Sequence, residues 1–340
     1  MAWLKRIWMR LTGGMDERPQ DNGSISSLEA NPTNVGGEES ANPAVNEEAP
    51  AASPPMDMTE TPIIGTLSSN FSSHAPAPGS GVFGVGWITD VGKVRGHNED
   101  GLFVFVSEQE GADVLPPFGL FVLADGMGGH QAGEIASSLA SRTVTAHLLS
   151  EVYISLLRGE ERLSTQPSLA EVITSAINAA NRAVNHRLPG SGTTLTCGMV
   201  LGTRLFIGHV GDSRAYLRSE DGEIRHLTTD HSMVSKLVEI GQLTPEEAAV
   251  HPQRNMLYRA VGQGTALEVD VMSFSLQRND QLLLCSDGLW GLLSDEEMWQ
   301  IIDASTDPTE ACQRLADAAN AAGGNDNITA ILVEIQRGIL

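Results

Sequence analysis

Four aspartates lie near glycines at points where the chain enters or leaves an apolar, strand-like run, and they are Asp125, Asp212, Asp287 and Asp326. A single Asp-Gly pair after a strand is usually a turn, because the aspartate side chain bonds to nearby backbone there. Four such positions are harder to explain as turns, since an unpaired buried carboxylate costs several kcal/mol, roughly, and needs a cation or hydrogen-bond donors. Oxygen ligands suit Mg²⁺ or Mn²⁺, and the lack of His and Cys at metal-ligand spacing argues against zinc. The pattern therefore predicts a site for hard divalent cations.

An arginine and two carboxylates follow the first strand-like run, 82–91. Arg95 is followed closely by Glu99 and Asp100. The planar guanidinium group of arginine suits bidentate recognition of phosphate. Taken alone, such a loop is more often an ordinary ion-pair cluster on the surface. Beside the four aspartates, it predicts a phosphate-binding arginine at the edge of the metal site.

The elements that must position these residues lie within residues 81–340, which we interpret as one folded domain. Strand-like runs cover 82–91, 102–106, 118–124, 193–201, 204–210, 213–218, 268–275, 281–286 and 327–335. Helical patterns cover 132–157, 169–188, 232–239, 245–250, 295–303 and 308–322. Strands in clusters with helices inserted in pairs predict an α+β fold with largely antiparallel sheets. No strand–GxGxxG–helix unit and no GKS or GKT occurs, so dinucleotide and P-loop sites are not expected.

The first 80 residues differ from the rest in composition. In residues 1–14, apolar residues that include Trp3 and Trp8 recur at helical spacing, and basic residues accompany them. We expect an amphipathic basic helix that docks on anionic lipid or in a partner's groove; a frayed terminus or a helix docked on its own domain is the alternative. Residues 15–80 are rich in Pro, Ala, Ser, Asn and Glu. Such a composition predicts a disordered, acidic tether.

The charge balance disfavours one class of function. The sequence holds 43 Asp and Glu against 21 Lys and Arg, a net charge of −22. A polyanion repels nucleic-acid phosphates, so a general role in DNA or RNA binding is not expected. Solubility alone can also explain the acidity, and only the positions of the carboxylates decide between the two explanations.

The spacing of the cysteines and the length of the apolar runs indicate where in the cell the protein is located. Cys197, Cys285 and Cys312 form no CxxC pair and are expected to be buried, reduced thiols. No apolar run is long enough to span a bilayer, and no cleavable signal peptide is apparent. We therefore expect the catalytic part to be cytoplasmic, with peripheral contact at the inner membrane face through residues 1–14.

Eight stretches of the sequence together resemble the type 2C, metal-dependent Ser/Thr protein phosphatases of the PPM family, and bacterial members in particular. They are VGKVRGHNED (91–100), LADGMGGH (123–130), SGTTLT (191–196), GHVGDSRAY (208–216), TTDHSMVSKLVEIGQL (228–243), HPQRNMLYRAVG (251–262), LCSDGLWGLL (284–293) and GGNDNIT (323–329). Each stretch is only moderately specific. They follow the order of the family and cover essentially the whole folded domain, which makes the resemblance strong.

The resemblance implies a four-layer α/β/β/α sandwich, with two antiparallel sheets flanked by helices and a metal site in a cleft at one edge. It implies two Mn²⁺ or Mg²⁺ ions. Asp125 matches the catalytic aspartate that bridges both ions, and Gly126 matches the residue that lends its backbone carbonyl. Asp287 and Asp326 match ligands of the first ion.

The remaining site residues are also assigned by the resemblance. Glu99 and Asp100 match ligands of the second ion, directly or through water, and which of the two binds directly stays open. Asp212, together with Asp287, matches the ligands of a third and weaker cation in bacterial members. Arg95 matches the catalytic arginine that binds the substrate phosphate.

The implied activity is hydrolysis of phosphoserine and phosphothreonine in proteins, with a metal-bridging hydroxide as nucleophile, in opposition to a bacterial Ser/Thr kinase. The implied partners are phosphorylated proteins. One position departs from many eukaryotic members: Met127 stands where they carry a histidine that is assigned as general acid. A thioether cannot donate a proton to the leaving group. His130 and His231 are candidates for that role, and each is also explained as a structural residue.

Two other functions stay open at this point. One is a catalytically inactive module that binds phosphoproteins or serves as a scaffold, although inactive relatives usually lose aspartates and none is missing here. The other is a phosphatase that acts in partner switching on a phosphorylated anti-sigma antagonist. Residues 228–262 resemble the family's variable flap beside the cleft, which we expect to bias substrate choice.

Overall fold

Two antiparallel β-sheets lie face to face in the computed structural model of the protein, which describes residues 81–109, 115–128, 131–160 and 166–336. The predicted helix 1–14 and tether 15–80 lie outside the described residues. Within the described part of the chain, no helix is long and apolar enough to cross a bilayer.

The first sheet has the strand order β1-β11-β10-β7-β8, and every neighbouring pair is antiparallel. Its strands are β1 (Phe83–Asp90), β7 (Arg214–Arg218), β8 (Ile224–His226), β10 (Gln281–Cys285) and β11 (Ile328–Ile335). The last strand of the chain thus lies between the first strand and β10. The loop that follows β10 and the loop that precedes β11 therefore lie side by side at one end of these strands.

The second sheet has the strand order β2-β3-β5-β6-β9, again antiparallel throughout. Its strands are β2 (Asp100–Ser107), β3 (Phe118–Met127), β5 (Leu195–Leu201), β6 (Arg204–Val210) and β9 (Asp270–Ser275). A two-residue strand, β4 (Gly192–Thr193), pairs with the end of β3.

Helices cover the outer face of each sheet. Against the second sheet pack α1 (Gln131–Leu148) and α3 (Leu169–Arg187); α1 continues into a π-helical turn, Leu149–Ile154, and a short α2, Ser155–Leu157. Against the first sheet pack α7 (Asp295–Asp303) and α8 (Pro308–Ala321). Three short helices lie near the cleft described below: α4 (Met233–Glu239), α5 (Pro245–Ala249) and α6 (Asp287–Trp290).

Strand β3 shows why four layers form. Its residues alternate between two apolar environments: Leu120 and Val122 pack with the outer helices, whereas Phe121 and Leu123 pack with the first sheet. Successive side chains of a strand point to opposite faces, so a strand that is apolar on both faces must be covered on both. The predicted α/β/β/α sandwich is confirmed.

The long helices begin at side-chain caps that the sequence contains. Ser168 and Ser294 each form a capping box with the glutamate three residues later, before α3 and α7. Asp307 caps α8 and is followed by Pro308, whose missing N–H is harmless at the first helical position. These signals explain why the predicted helix starts agree closely with the structure.

Element boundaries differ from the predictions near the glycines. The run 118–124 was expected to end before Asp125, but β3 continues to Met127 because the backbone N–H of Thr194 donates to the Asp125 carbonyl (2.8 Å) and β4 pairs beyond it. Strand β8 and helix α6 were not predicted. Both are short, and the periodicity of three or four residues carries little signal.

A substitution at Gly86 tests the packing of β1 on α8. A Cβ atom at this position would overlap the backbone carbonyl of Pro308. We expect Gly86→Ala to lower the free energy of unfolding by roughly 1–3 kcal/mol, as overpacking does, measured by chemical denaturation. Gly96→Ala is the control, because nothing lies within 4 Å of its added Cβ. Equal losses in both variants would contradict the tight packing of β1 on α8.

Candidate metal centre

The register of β2 against β3 brings the first carboxylates together. Asp100 lies directly opposite Asp125 in this antiparallel pair. One residue further, the Gly126 N–H donates to the Glu99 carbonyl (3.1 Å). A Cβ atom at Gly126 would overlap the carbonyl of Gly133 at the start of α1, so only glycine fits there. Strand pairing therefore places both predicted pairs, 99–100 and 125–126, at one point of the second sheet.

The first sheet brings Asp287 and Asp326 to the same region. Asp287 begins α6 directly after β10, and Asp326 precedes the neighbouring strand β11. A Cβ atom at Gly288 would overlap the carbonyl of Asn327, so the start of α6 lies against this loop. The Asp326 carboxylate accepts one hydrogen bond from the Asn327 N–H (2.9 Å).

Two carboxylate oxygens in this group are buried without a hydrogen-bond donor. Asp100 accepts hydrogen bonds at Oδ2 from Ser286 Oγ (2.9 Å) and Thr329 Oγ1 (2.6 Å). Its other oxygen, Oδ1, and Oδ1 of Asp287 are buried and accept no hydrogen bond from any described residue. Buried polar atoms are rarely left unpaired, so each such oxygen needs an explanation. A bound cation would satisfy both.

Repulsion among the carboxylates is visible in their pKa values. Burial raises the pKa of Asp100 to about 7, and the charge of Asp287 adds to the effect. Burial, followed by the charge of Asp326, raises the pKa of Asp287 to about 6. For Asp125, burial and then the charge of Asp100 raise the pKa well above its ordinary value. Without a positive charge nearby, these groups keep their protons to a higher pH than ordinary aspartates do.

Asp212 lies on the loop between β6 and β7, and its backbone is held on both sides. The backbone N–H of Gly211 donates to His231 Nδ1 (3.0 Å), and the backbone N–H of His231 donates to the Gly211 carbonyl (2.7 Å). Trp290 Nε1 donates to the Asp212 carbonyl (3.0 Å). Burial, and then the charge of Asp287, raises the pKa of the Asp212 carboxyl group well above its ordinary value. Asp212 is therefore electrostatically part of the same group of carboxylates.

Arg95 forms an ion pair with one member of this group. Its Nη2 donates to Asp326 Oδ2 (2.6 Å), while about half of the side chain stays exposed. This hydrogen bond is the main cause that raises the pKa of the guanidinium group. The arginine can therefore face solvent at the mouth of the site and remain charged.

The residues fit Mn²⁺ or Mg²⁺ by their donor chemistry. All the candidate side chains are oxygen donors, as these hard cations prefer. The two oxygens without a hydrogen-bond donor, on Asp100 and Asp287, are able to bind such a cation. Among the described residues, no three His, Cys, Asp or Glu side chains are already gathered into a finished cation site. That arrangement is compatible with Mg²⁺, which usually keeps several waters and takes only one or two carboxylates.

Several supporting residues were not singled out from the sequence. The hydroxyl groups of Ser286 and Thr329 orient Asp100. Asn327 accepts from the Glu99 N–H (2.8 Å) and donates to the carbonyls of Val91 (3.0 Å) and His97 (2.9 Å), which ties the Arg95 loop to β11. Only Asn327, within the Gly-Gly-Asn-Asp-Asn run, has a sequence signal; hydroxyl groups on strands have none.

The proton-donor candidates differ in what the structure shows. His130 lies outside the described residues. His231 is buried, and its Nε2 lies 3.2 Å from Asp270 Oδ2 and 3.0 Å from Arg259 Nη1. Because Nδ1 also accepts a hydrogen bond from Gly211, the imidazole has a structural role where the flap begins.

Cys285 does not have the properties of a nucleophile. Burial raises the pKa of its thiol, so the reactive thiolate form is disfavoured.

A cleft of about 670 Å³ opens beside the carboxylates. Its lining includes two groups, which we call its two ends: Arg95, Asp287 and Asp326 form one, and residues of helices α4 and α5 form the other. The segment between β8 and β9 that carries these helices corresponds to the predicted flap. The cleft thus opens Asp287 and Asp326 to solvent.

Comparison with known proteins identifies the family. The profile of the family described as "Protein phosphatase 2C" matches residues 97–324. The Ser/Thr phosphatase Stp of Listeria innocua is 39% identical over 250 residues, which cover 72% of this chain and 93% of the Listeria protein. The chain belongs to the protein phosphatase 2C family. It is a metal-dependent protein-Ser/Thr phosphatase of the bacterial PPM type.

Solved structures of relatives agree with the fold of this phosphatase. The crystal structure of the Mycobacterium tuberculosis Ser/Thr phosphatase PstP has a TM-score of 0.62 and 34% identity, and covers 75% of this chain and 100% of that one. The catalytic domain of PstP in complex with two manganese ions has a TM-score of 0.60 and 33% identity, over 75% and 99% of the two chains. Mn²⁺ or Mg²⁺ is thus the cofactor of the phosphatase.

In the metal-free phosphatase, the free energy of unfolding should fall as the pH rises. The pKa values of Asp100 and Asp287 are about 7 and about 6 in the fold, against 3.8 ordinarily. The folded chain therefore retains protons that the unfolded chain releases, so these groups lower the stability of the metal-free phosphatase progressively between about pH 4 and about pH 7. We expect the rise in Tm on adding Mn²⁺ to be larger at about pH 7.5 than at about pH 5.5, measured by calorimetry.

Asp287→Asn provides the matched comparison for this experiment. It removes one repelling charge, so the metal-free variant should melt a few degrees above the metal-free wild type near pH 7.5, given about 2–4 °C per kcal/mol. Its gain on adding Mn²⁺ should shrink. A metal-free variant that melts below the wild type would contradict the repulsion.

Proposed function

We propose that this phosphatase hydrolyses phosphoserine and phosphothreonine in proteins at a dinuclear Mn²⁺ or Mg²⁺ centre. The observation that carries the proposal is the pair of buried, unpaired oxygens on Asp100 and Asp287, within a group of carboxylates gathered from both sheets. When bound, two divalent cations acidify a water molecule between them and neutralise phosphate charge. No protein nucleophile is then required.

The proposed ligands are those that the resemblance to the family implies, and their positions in the structure support them. Asp125, at the centre of the mutual repulsion, would contact both cations, together with the carbonyl of Gly126. Asp287 and Asp326 would bind one cation. Asp100, through its unpaired Oδ1, and Glu99 would serve the other, directly or through water. Asp212 would join Asp287 at a third, weaker cation.

Arg95 is the proposed phosphate ligand. It lines the same end of the cleft as Asp287 and Asp326, and it carries the charge and the fork of donors that a phosphate monoester needs. Its hydrogen bond to Asp326 orients the guanidinium group from one side. The exposed part of the side chain is then free to receive substrate oxygens.

The proposed substrates are proteins that a bacterial Ser/Thr kinase has phosphorylated. The names of the relatives support this class of substrate, since the Listeria and Mycobacterium proteins are described as Ser/Thr phosphatases. An inactive phosphoprotein-binding module is less well supported, because the carboxylates and Arg95 are all present.

Turnover of a phosphothreonine peptide tests the proposal. We expect hydrolysis that depends on Mn²⁺ and is abolished by EDTA, and a loss of about 100-fold or more in kcat for Asp287→Asn, because metal-ion stabilisation of the transition state is worth several kcal/mol. Asp317→Asn, on the outer helix α8, is the control and should behave as wild type. Activity that survives both EDTA and Asp287→Asn would contradict the metal mechanism. Tight peptide binding without turnover would favour the inactive module.

We propose also that residues 1–14 hold the phosphatase peripherally at the cytoplasmic face of the inner membrane or on a partner, through a tether of residues 15–80. The basic and apolar residues of this segment support the idea. Full-length protein should co-sediment with vesicles that contain anionic lipid, and Trp3→Ser/Trp8→Ser should reduce the bound fraction several-fold, since each loses an apolar side chain. Equal binding of both proteins would count against a lipid anchor.

A further inference from the structure

The cleft beside the metal-binding carboxylates has two chemically different ends. Arg95, Asp287 and Asp326 form the polar end. The opposite end is lined by the flap and by the segment after α6. Its apolar side chains are Val234, Val238, Pro245, Ala248, Ala249 and Leu292, and its polar ones are Ser232, Ser235, Arg254 and Asn255. Nothing in the chemistry of the reaction described so far uses this second end.

The apolar side chains face the cleft because of their helical spacing. Val234 and Val238 are four residues apart in α4, and Ala248 and Ala249 lie three and four residues after Pro245 in α5. Side chains at these separations share one face of a helix. Since the alanines and the proline are short, they leave space in front of them rather than filling it.

Side-chain caps fix the orientation of both helices. Ser232 Oγ accepts from the Ser235 N–H (3.2 Å) at the start of α4. Thr244 and Glu247 form a capping box at the start of α5. Charged residues lie on the exposed surface of α4, where Lys236 pairs with Glu239 (2.7 Å). The caps thus hold the apolar faces of α4 and α5 toward the cleft.

Two charged residues that line the cleft, Arg214 and Asp230, are paired with each other. The guanidinium carbon of Arg214 lies 3.6 Å from the centre of the Trp290 ring. Arg214 also donates two hydrogen bonds to Asp230, from Nε (3.1 Å) and Nη2 (2.8 Å). The arginine and the aspartate neutralise each other, and the tryptophan ring lines the cleft beside them. Arg95 therefore favours a phosphate group at its end, and the apolar side chains of α4 and α5 favour an apolar group beside them.

We propose that the apolar end of the cleft binds an apolar side chain, of the size of leucine or methionine, that flanks the phosphorylated residue of the substrate protein. This inference rests on the proposed function. Continuity decides the occupant: the same cleft holds the phosphate-binding end, so a chain whose phosphoresidue lies there presents its neighbouring side chains to α4 and α5. The residues named here are then specificity determinants of the phosphatase.

A peptide series with full-length protein and Mn²⁺ tests the proposal. Phosphothreonine peptides of constant net charge would carry leucine or serine at each position within three residues of the phosphothreonine. At one fixed position, leucine should raise kcat/KM about tenfold or more over serine, which is about 1.4 kcal/mol. Hydrolysis of p-nitrophenyl phosphate, which has no flanking residue, is measured in parallel.

Ala249→Trp fills the apolar end from an exposed position on α5, so it should fold normally. In this variant the leucine-to-serine ratio of kcat/KM should fall to about one, since little apolar surface remains to be buried. Glu246→Trp is the matched control on the same helix, because Glu246 does not line the cleft, and it should keep the wild-type ratio.

The outcomes separate the inference from the function on which it rests. Hydrolysis of p-nitrophenyl phosphate and of all peptides, with no position that discriminates leucine from serine, would overturn the inference and leave the proposed function standing. No hydrolysis of any phosphoester would overturn both. If Trp3→Ser/Trp8→Ser raised kcat/KM for every peptide alike, the chain's own N-terminal segment would be the occupant and the assignment would be wrong.

Discussion

Mutual repulsion among carboxylates in a partly dehydrated cleft is the interaction on which the rest of the structure depends. Asp100, Asp125, Asp212 and Asp287 all have raised pKa values for the same two reasons, burial and the charge of neighbouring aspartates. A fold can hold such groups together only if packing elsewhere supplies the free energy. The fully buried apolar layers between and outside the two sheets supply this free energy. Bound cations would neutralise the carboxylates, so the repulsion that they relieve would strengthen their binding.

Neither sheet builds the centre alone. Glu99, Asp100 and Asp125 come from the second sheet, and the loops at β10 and β11 of the first sheet carry Asp287 and Asp326. Hydroxyl groups of the first sheet reach across, since Thr329 of β11 donates to Asp100 of β2. The ligands are therefore fixed by the same face-to-face packing of the sheets that forms the inner core.

Local signatures in the sequence predicted the α+β class and singled out the aspartates, whereas the four layers were implied by the resemblance to the family. Apolar runs on both faces, capping boxes at Ser168 and Ser294, and Asp-Gly at strand ends are visible in short windows. The supporting contacts are not, because they join residues far apart in the chain: Ser286 and Thr329 with Asp100, or Trp290 with Asp212. Short elements such as β8 and α6 depend on tertiary pairing and leave no periodic pattern. The apolar lining of the cleft likewise emerges only once α4 and α5 are folded.

The flap leaves the core and returns to it at nearly the same place. Ser232 pairs with Leu257 in an isolated bridge, and the Tyr258 N–H donates to the His231 carbonyl (2.9 Å). The two ends of the 24-residue segment between Ser232 and Leu257 are therefore held together by these contacts. Because the entropic cost of closing a loop grows only slowly with its length, a longer segment would destabilise the sheets very little. Evolution can exchange or lengthen such a segment as a module, leaving the catalytic carboxylates undisturbed while a new surface is offered to new client proteins.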